Sequence, residues 1–333
     1  MSGRLDGVRA LVTGADGFIG SHLVERLVAD GATVRAFCLY NSRGSAGWLD
    51  EAAPGVRSAC DIRLGDIRDA RFVERAVEGI DVVFHLAALI AIPYSYVAAE
   101  SFIDTNVRGT LNVLDASVRA GVRRMVHIST SEVYGTPEQL PIRETHPLRA
   151  QSPYAASKTA ADQLALSYHR SFGLPVTVLR PFNTYGPRQS ERAVLPTMIR
   201  QLLAGQPEIH LGRLDTRRDL TFVTDTVDGM VRAASTDGID GLVIQLGTGR
   251  AETIRELFEL ACRLTGNPAR AVEDPARLRP EASEVLALQS DPSLARELLG
   301  WQAGTTLEAG LAATIEWQRA QPPSPDEPIR VQL

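Results

Sequence analysis

Two side chains separated by one helical turn offer acid–base chemistry. Tyr154 and Lys158 stand four positions apart in segment 151–158, so on a helix they share one face. A fixed ammonium beside a phenol favours the phenolate, and we expect the pKa of Tyr154 to fall from about 10 towards neutral. Such a base takes a proton from a sugar or alcohol hydroxyl while hydride leaves the same carbon. The spacing alone also fits a surface tyrosine above a solvated lysine.

A hydroxyl and a carboxylate form a second group of candidate catalytic residues. Thr130, Ser131 and Glu132 follow the apolar segment 124–129, which we predict to be a buried strand. Ligands of open α/β sheets bind at the carboxyl ends of the strands. We therefore expect these three side chains to face a cleft, where the pKa of an acid is often perturbed. The alternative for Glu132 is an exposed acid at a strand end.

A glycine-rich turn predicts a dinucleotide site. Gly14, Gly17 and Gly20 follow predicted strand 8–13 and open predicted helix 20–30. Glycines at this spacing permit a tight turn and close approach to a pyrophosphate, which the helix N-terminus attracts. Glycines that merely shape a loop are the alternative. The expected cofactor contacts in this turn are Gly14, Asp16, Gly17, Phe18 and Ile19.

The residues expected at the adenosine end of that site are compatible with two cofactors. The end of the second predicted strand, 38–41, carries no carboxylate for the ribose, while Asn41 and Arg43 follow closely. We predict NAD and leave NADP open, because Arg43 is either a 2′-phosphate ligand or a solvated loop residue. Asp66 and Ile67, after the third strand, are expected beside the adenine. Asp66 alternatively caps the next helix.

The elements that position these residues alternate along the chain. Apolar runs predict strands at 8–13, 33–39, 61–65, 81–86, 124–129 and 176–180, and helical patterns predict helices at 20–30, 71–78, 99–120 and 153–172. This order indicates an α/β fold, a Rossmann-type doubly wound parallel sheet. Prolines punctuate shorter elements after 181, which indicates a smaller C-terminal α/β substrate lobe. The expected division is 1–181 joined by about 220–246, then 182–219 with 247–320, and a tail at 321–333.

Composition excludes several function classes. The 333 residues carry a net charge of -5, so the chain has no positive field that would attract nucleic acid. The contents of 44% hydrophobic and 23% charged residues are ordinary for a globular protein. Three cysteines without a Cys-x-x-Cys favour a reducing compartment and no structural metal. The start of the chain has no signal-peptide pattern, and no apolar run is long enough to span a membrane. We expect a cytoplasmic protein with no membrane partner.

Several motifs taken together resemble one family. They are Gly14/Gly17/Gly20, His85-Leu86-Ala87-Ala88, Asn106, the segment 129–135, Tyr154/Lys158 and the segment 180–183. In this order they resemble the extended short-chain dehydrogenase/reductase family, in its nucleotide-sugar branch. The resemblance implies a nicotinamide cofactor, a nucleotide-diphospho-sugar under the smaller lobe, and a homodimer formed through helices 99–120 and 153–172.

The same resemblance assigns roles to individual residues. Thr130 bonds the sugar O4, Tyr154 is the base, and Lys158 holds the nicotinamide ribose. Further implied cofactor contacts are Leu86, Ala87 and Ala88, and the implied substrate contacts are Pro93, Tyr94, Asn183, Leu195, Arg218 and Arg279. Guanidinium forks suit the oxygens of a diphosphate, although each arginine alternatively forms a surface salt bridge.

Glu132 decides the expected reaction. A carboxylate beside Thr130 is placed to take the C5 proton that a transient 4-ketone acidifies, which predicts a 4,6-dehydratase. Segment 87–96 and loop 40–50 look most like NAD-dependent dehydratases that act on nucleotide-linked N-acetylglucosamine in legionaminic-type sugar biosynthesis. The resemblance implies a UDP-, GDP- or dTDP-hexose as the substrate, with the N-acetylglucosamine type included. UDP-glucuronate decarboxylase and C4 epimerase remain alternatives, although apolar segment 89–92 lacks a cation for a substrate carboxylate. A non-catalytic NAD(P)-binding regulator is disfavoured by the intact catalytic residues.

Overall fold

Strands and helices alternate through the computed structural model, which describes residues 5–322. The strands are β1 (Arg9–Thr13), β2 (Thr33–Leu39), β3 (Cys60–Gly65), β4 (Val82–His85), β5 (Arg124–Ile128), β6 (Val176–Pro181), β7 (Thr184–Tyr185), β8 (Glu208–Leu211), β9 (Arg217–Arg218), β10 (Thr221–Phe222), β11 (Val243–Leu246), β12 (Glu252–Thr253), β13 (Arg270–Glu273) and β14 (Ala287–Leu288). The helices are α1 (Phe18–Ala29), α2 (Ala70–Val77), α3 (Ile92–Val97), α4 (Ala99–Phe102), α5 (Gly109–Ala120), α6 (Pro153–Phe172), α7 (Val194–Leu203), α8 (Val223–Ser235), α9 (Ile254–Thr265), α10 (Ser293–Leu299) and α11 (Leu307–Ala320).

A seven-stranded parallel sheet carries the site. Its order is β11–β6–β5–β4–β1–β2–β3, and apolar side chains alternate between its two faces. Ala10 and Val12 of β1 pack with helices α1 and α8, whereas Leu11 packs with α2 and α5. Because both faces are covered by helices, the sheet is doubly wound, and the predicted Rossmann-type fold is confirmed.

The smaller lobe has its own apolar core. Leu195 and Met198 on α7 pack with Leu257 on α9 and Ile315 on α11. Strand β11 lies beside β6 at the edge of the main sheet, although it follows much of this lobe in the chain. The division into 1–181 with 220–246 and 182–219 with 247–320 stays a prediction. Of the predicted tail at 321–333, residues 323–333 lie outside the described part.

Helix α6 has clear start and stop signals. The side chain of Ser152 accepts a hydrogen bond from the Ala155 amide at 3.1 Å, and Pro153 fits the first helical position. Gly173 ends the helix in the left-handed conformation at φ 68°. The helix therefore spans the predicted 153–172, and Tyr154 lies in its first turn.

The chain is helical over the whole of the predicted 99–120, but not as a regular α-helix. Helix α4 ends at Phe102, a π-helical segment covers Ile103–Arg108, and α5 begins at Gly109. Asn106 explains the interruption, because its side chain bonds the Leu89 backbone through both N–H (2.8 Å) and C=O (3.0 Å). Such single-turn π segments are frequent at functional sites. The homodimer expected through these helices stays a prediction.

The described residues also bear on membranes and metals. Within residues 5–322, no helix combines the length and apolar character needed to cross a bilayer. Over the same range, no group of three or more His, Cys, Asp or Glu side chains is arranged to hold a metal ion.

Candidate active site

The chain turns sharply after β5 and brings Glu132, two residues after Thr130, to the wall of a cavity. The Thr130 hydroxyl accepts a hydrogen bond from the Glu132 amide at 3.2 Å, which starts a short 3-10 turn over Ser131–Tyr134. The Thr130 hydroxyl interacts with the Tyr154 phenol and lowers its pKa, although the two residues are distant in the sequence. Ser131 is only 1% exposed and does not line the cavity, so the structure shows no contact with the cavity that would support its predicted catalytic role.

The pKa of Tyr154 corrects the sequence prediction. Burial raises the pKa of this phenol, the hydrogen bond with Thr130 lowers it, and the charges of Glu132 and Asp162 raise it further. Lys158 was expected to pull it down, but its ammonium donates instead to the Ile128 carbonyl at 2.7 Å. In the protein alone, Tyr154 therefore keeps its proton at neutral pH.

The glycine turn is closely packed against the loop after β4. Gly14 has φ +70°, and a Cβ there would lie 2.9 Å from the Ala87 Cα. A Cβ at Gly20 would lie 2.0 Å from the Gly14 carbonyl oxygen. Helix α1 begins at Phe18 with no side-chain cap, so amide N–H groups stay available at its N-terminus. These residues fit the pyrophosphate of a dinucleotide.

A buried hydrogen-bond chain fixes the loop after β4. The Thr13 hydroxyl accepts from the Leu86 and Ala87 amides, each at 3.1 Å, and lies 2.8 Å from His85 Nδ1. His85 Nε2 lies 2.9 Å from the hydroxyl of Thr110. Burial holds the pKa of His85 well below its ordinary value, so the ring is neutral. Leu86 and Ala87 are therefore held beside the glycine turn, where the sequence predicted cofactor contacts.

The end of β2 has no carboxylate of its own, but the glycine turn places the carboxylate of Asp16 beside it. Asp16 Oδ2 accepts a hydrogen bond from the Leu39 amide at 3.3 Å, so its carboxylate lies at the carboxyl end of β2. Asn41 instead stabilises its own loop, because its amide group donates to the Leu39 and Ser45 carbonyls and accepts from the Arg43 and Ser45 amides. Asn41 is therefore a structural residue of this loop.

Asp66 does not cap the following helix. Its carboxylate accepts hydrogen bonds from the Arg68 backbone at 2.8 Å and from the Arg68 guanidinium. Asp69 is the cap of α2, because it accepts from the amides of Arg71 and Phe72 at 3.0 and 3.2 Å. The capping alternative for Asp66 is wrong, and its predicted place beside the adenine with Ile67 stays a prediction.

We call the turn after β5, from Thr130 to Tyr134, the catalytic turn. A cavity of about 360 Å³ lies between this turn and the smaller lobe. It brings together most of the predicted substrate residues, namely Pro93, Asn183, Leu195, Arg218 and Arg279, and places Glu132 in the same wall. Tyr94 lies outside this lining. Its ring packs 6.0 Å from that of Phe102, which in turn packs 6.2 Å from the ring of Tyr154. Tyr94 is therefore linked to Tyr154 through the Phe102 ring and is not part of the cavity wall.

The cavity also contains residues that the sequence did not predict. They lie in loops that carry no recognisable motif: Gln189, Arg192, Arg213, Thr216, Arg277 and Glu284. A high arginine content around Arg218 and Arg279 was the one available signal, but arginines occur throughout this chain. Only folding places these loops together.

Two arginines and two glutamates form one charged cluster in the cavity wall. Arg218 Nη2 is 3.4 Å from Glu284 Oε1, and Arg279 Nη1 is 3.9 Å from Glu284 and 4.0 Å from Glu132. Burial lowers the pKa of Arg218, the charge of Glu132 raises it, Arg279 lowers it and Glu284 raises it. Arg279 Nη1 is buried without a hydrogen-bond partner among the described residues. The cluster therefore keeps guanidinium donors for an anionic ligand.

The chain is similar to proteins of known activity over nearly its whole length. The profile of the GDP-mannose 4,6 dehydratase family matches residues 11–314. A UDP-glucose 4-epimerase of Mycolicibacterium smegmatis is 35% identical over 326 residues, which cover 94% of this chain and 99% of that protein. A dTDP-glucose 4,6-dehydratase of an Actinoplanes species is 35% identical over 321 residues, which cover 94% and 98%.

A solved structure gives the same result. A dTDP-glucose 4,6-dehydratase double mutant from Streptomyces venezuelae, with NAD bound, is 32% identical with a TM-score of 0.83, covering 94% of this chain and 97% of that one. The sheet, the glycine turn and the group of Thr130, Tyr154 and Lys158 define an extended short-chain dehydrogenase/reductase of the nucleotide-sugar branch. This confirms the predicted resemblance. Within that class, the chain belongs to the GDP-mannose 4,6-dehydratase family and is an enzyme that modifies nucleotide sugars.

Proposed function

We propose that the protein binds NAD and a nucleotide-diphospho-sugar and removes water across C5 and C6 of the hexose, a 4,6-dehydration. One observation carries this proposal: Glu132 lines the cavity, while Thr130, two residues earlier, interacts with the Tyr154 phenol. A base for C5 therefore lies two residues from the hydroxyl that contacts the base for the C4 hydroxyl. NAD held at the glycine turn would supply the acceptor for the C4 hydride and the donor that returns it to C6.

The chain's own residues provide the proton transfers. Tyr154 and Thr130 hold the C4 hydroxyl. Tyr154 takes its proton as a phenolate, a form that the positive charge of a bound NAD⁺ ring would favour, although the protein alone keeps the phenol protonated. The 4-ketone then acidifies the C5 hydrogen, and Glu132 removes it. Since the neighbouring Ser131 has no carboxyl group, Glu132 also returns a proton to the departing C6 hydroxyl, which leaves as water. Return of hydride to C6 gives an enolate that takes a solvent proton at C5, so the reaction is redox-neutral. Legionaminic-type substrates stay a prediction.

Asp16 favours NAD over NADP in this proposal. A carboxylate at the end of β2 accepts hydrogen bonds from an adenosine ribose and repels a 2′-phosphate. We expect Asp16→Asn to weaken NAD binding about ten- to a hundredfold, since a charge-assisted hydrogen bond is lost. Calorimetric titration with NAD and NADP measures both dissociation constants. Arg43→Ala is the control and leaves both unchanged; a large loss of NADP binding in that variant would assign Arg43 to a phosphate instead.

Arg218 and Arg279 provide the diphosphate subsite. We expect Arg218→Met to weaken binding of UDP or dTDP about tenfold or more, because a buried guanidinium fork is lost while most of the side-chain volume remains. Titration calorimetry on the NAD-bound protein provides the measurement. Arg270→Met, which removes an exposed arginine paired with Glu208 in the same lobe, serves as the matched control. Equal affinities for the two variants would place the diphosphate elsewhere.

The reaction itself is tested by product mass. The protein with NAD is incubated with UDP-, GDP-, dTDP- and CDP-hexoses, and each product is weighed by mass spectrometry. We expect loss of one water from at least one of these substrates. Loss of carbon dioxide from a glucuronate substrate would establish a decarboxylase, and an isomer of unchanged mass would establish an epimerase. Either outcome overturns dehydration.

Decarboxylation is the second candidate because of one contact. Arg279 reaches within 4.0 Å of Glu132, so a cation does lie near the C5 side of the proposed sugar site. Apolar segment 89–92 had argued against such a cation. The mass measurement on UDP-glucuronate decides between the two reactions.

A further inference from the structure

A buried ion pair lies directly behind the catalytic turn. Asp162 on α6 is 0% exposed and Arg180 at the end of β6 is 2% exposed. Arg180 donates to Asp162 Oδ2 from Nε at 3.1 Å and from Nη2 at 2.9 Å. His127 Nε2 on β5 lies 3.3 Å from the other carboxylate oxygen. One helix and two strands of the sheet thus meet at a single carboxylate.

This ion pair holds both ends of the catalytic turn. Ser129, just before the turn, donates to Asp162 Oδ2 at 2.8 Å. Tyr134, which ends it, accepts from Arg180 Nη1 at 3.0 Å, and Arg180 Cζ lies 5.0 Å from the centre of the Tyr134 ring. Thr130 and Glu132 lie between these two anchors. They cannot shift without breaking a buried, charge-assisted hydrogen bond.

Asp162 also faces the lysine of the catalytic pair. Tyr154, Lys158 and Asp162 follow one another at intervals of four on α6, so they share one face of the helix. Burial lowers the pKa of Lys158 to about 8, and the charge of Asp162 opposes that effect. Burial acts to raise the pKa of Asp162, but the hydrogen bond from His127 and the charges of Arg180 and Lys158 outweigh it. The carboxylate is therefore ionised.

We propose that Asp162 is a positioning residue with two tasks, to anchor the turn that carries Thr130 and Glu132 and to serve as the buried counter-ion of Lys158. The inference rests on the proposed function, because C4 oxidation needs both the turn and a charged Lys158 in place. It does not depend on which reaction follows that oxidation.

Other groups around Lys158 do not replace this counter-ion. On the neighbouring elements they are Tyr94 on α3, His85 on β4, His127 on β5, Arg180 on β6, and Glu132 and Tyr134 on the catalytic turn. Burial lowers the pKa of both histidines, so they are neutral. Glu132 faces the cavity. Asp115 on α5 bonds Tyr168, ten residues and about 15 Å further along α6.

The sequence makes a direct test possible, because Lys158 is the only lysine among the 333 residues. Protein grown with lysine carrying ¹³C at Cε gives one lysine resonance, and its chemical shift against pH reports the protonation of Lys158. We expect a midpoint near pH 8 in the unaltered protein. The measurement needs neither substrate nor cofactor.

Two variants have opposite expected effects. Asp162→Asn removes the counter-ion, so the midpoint falls by about one pH unit or more. Arg180→Met removes a competing cation, so the midpoint rises. A merely loosened structure would hydrate Lys158 and move both midpoints up, towards the ordinary value of lysine. An unchanged or higher midpoint in Asp162→Asn overturns the counter-ion role.

Further variants keep the test decisive. Asp162→Asn leaves Arg180 buried and unpaired, which can prevent folding; circular dichroism would show this. The double variant Asp162→Asn/Arg180→Met leaves no unpaired charge there, and its midpoint must then lie below that of Arg180→Met. Ser129→Ala removes only the anchor, so it should lower turnover and leave the midpoint unchanged; full turnover would overturn the anchoring role. Absence of turnover in the unaltered protein would overturn the proposed function and leave the titration result standing.

Discussion

Replacing Tyr154 by phenylalanine should lower kcat by about a thousandfold or more. The variant keeps the ring that packs against Phe102 at 6.2 Å, but it loses the hydroxyl that bonds Thr130 and takes the C4 proton. Positioned acid–base groups contribute about 10²- to 10⁴-fold to rate. Steady-state turnover of the best substrate from the nucleotide-sugar panel measures the loss.

The controls separate chemistry from folding and binding. NAD affinity, measured by calorimetry, should change little, because the phenol is not part of the glycine turn or of the Asp16 contact at β2. Tyr168→Phe, on the same helix and 9% exposed, removes a different phenol and should leave turnover unchanged. Normal turnover in Tyr154→Phe would show that another group removes the C4 proton.

Glu132→Gln should abolish exchange at C5 and lower turnover by about 10²- to 10⁴-fold. The amide has nearly the same shape as the carboxylate but cannot accept the C5 proton. In D₂O the unaltered enzyme should place deuterium at C5 of the product, as mass spectrometry and NMR can measure. The variant should place none there while still binding UDP or dTDP through Arg218 and Arg279.

Glu138→Gln is the matched control for this prediction. Glu138 follows the same turn and its carboxylate pairs with Arg149 on the surface, with about half of the side chain exposed. Its replacement should leave both turnover and exchange unchanged. Dehydration that continued at the normal rate in Glu132→Gln would remove the carboxylate from the mechanism, and a C4 epimerase would become the better reading of the site.

The sequence predicted the framework well because the framework depends on local patterns. Strand 33–39 and helix 153–172 have the bounds that the apolar run and the helical pattern predicted. Most of the predicted substrate contacts meet in one cavity with Glu132. Strand order in a doubly wound sheet brings such segments to one edge, so motifs that follow strands lie near one another.

Properties that depend on burial or on distant contacts escaped prediction. The pKa of Tyr154 is raised because tertiary packing removes water, and no spacing rule contains that information. Asp16 reaches the end of β2 from another loop, which a search for an acid within the strand misses. Glu284 joins the arginines of the cavity only because the smaller lobe folds over the sheet.

The π-helical segment at Ile103–Arg108 has a consequence for how this chain tolerates deletions. A π-type turn closes i→i+5 hydrogen bonds and holds one residue more than an α-type turn, so removing one residue here would leave a regular α-helix in which the side chains of the segment are placed differently. Asn106 would lose Leu89 and Ser157, to which it donates at 3.0 and 2.9 Å. A one-residue deletion in this segment would thus break the hydrogen bonds through which Asn106 joins the loop after β4 to α6. The loop expected to contact the cofactor would then no longer be held to the helix that carries Tyr154.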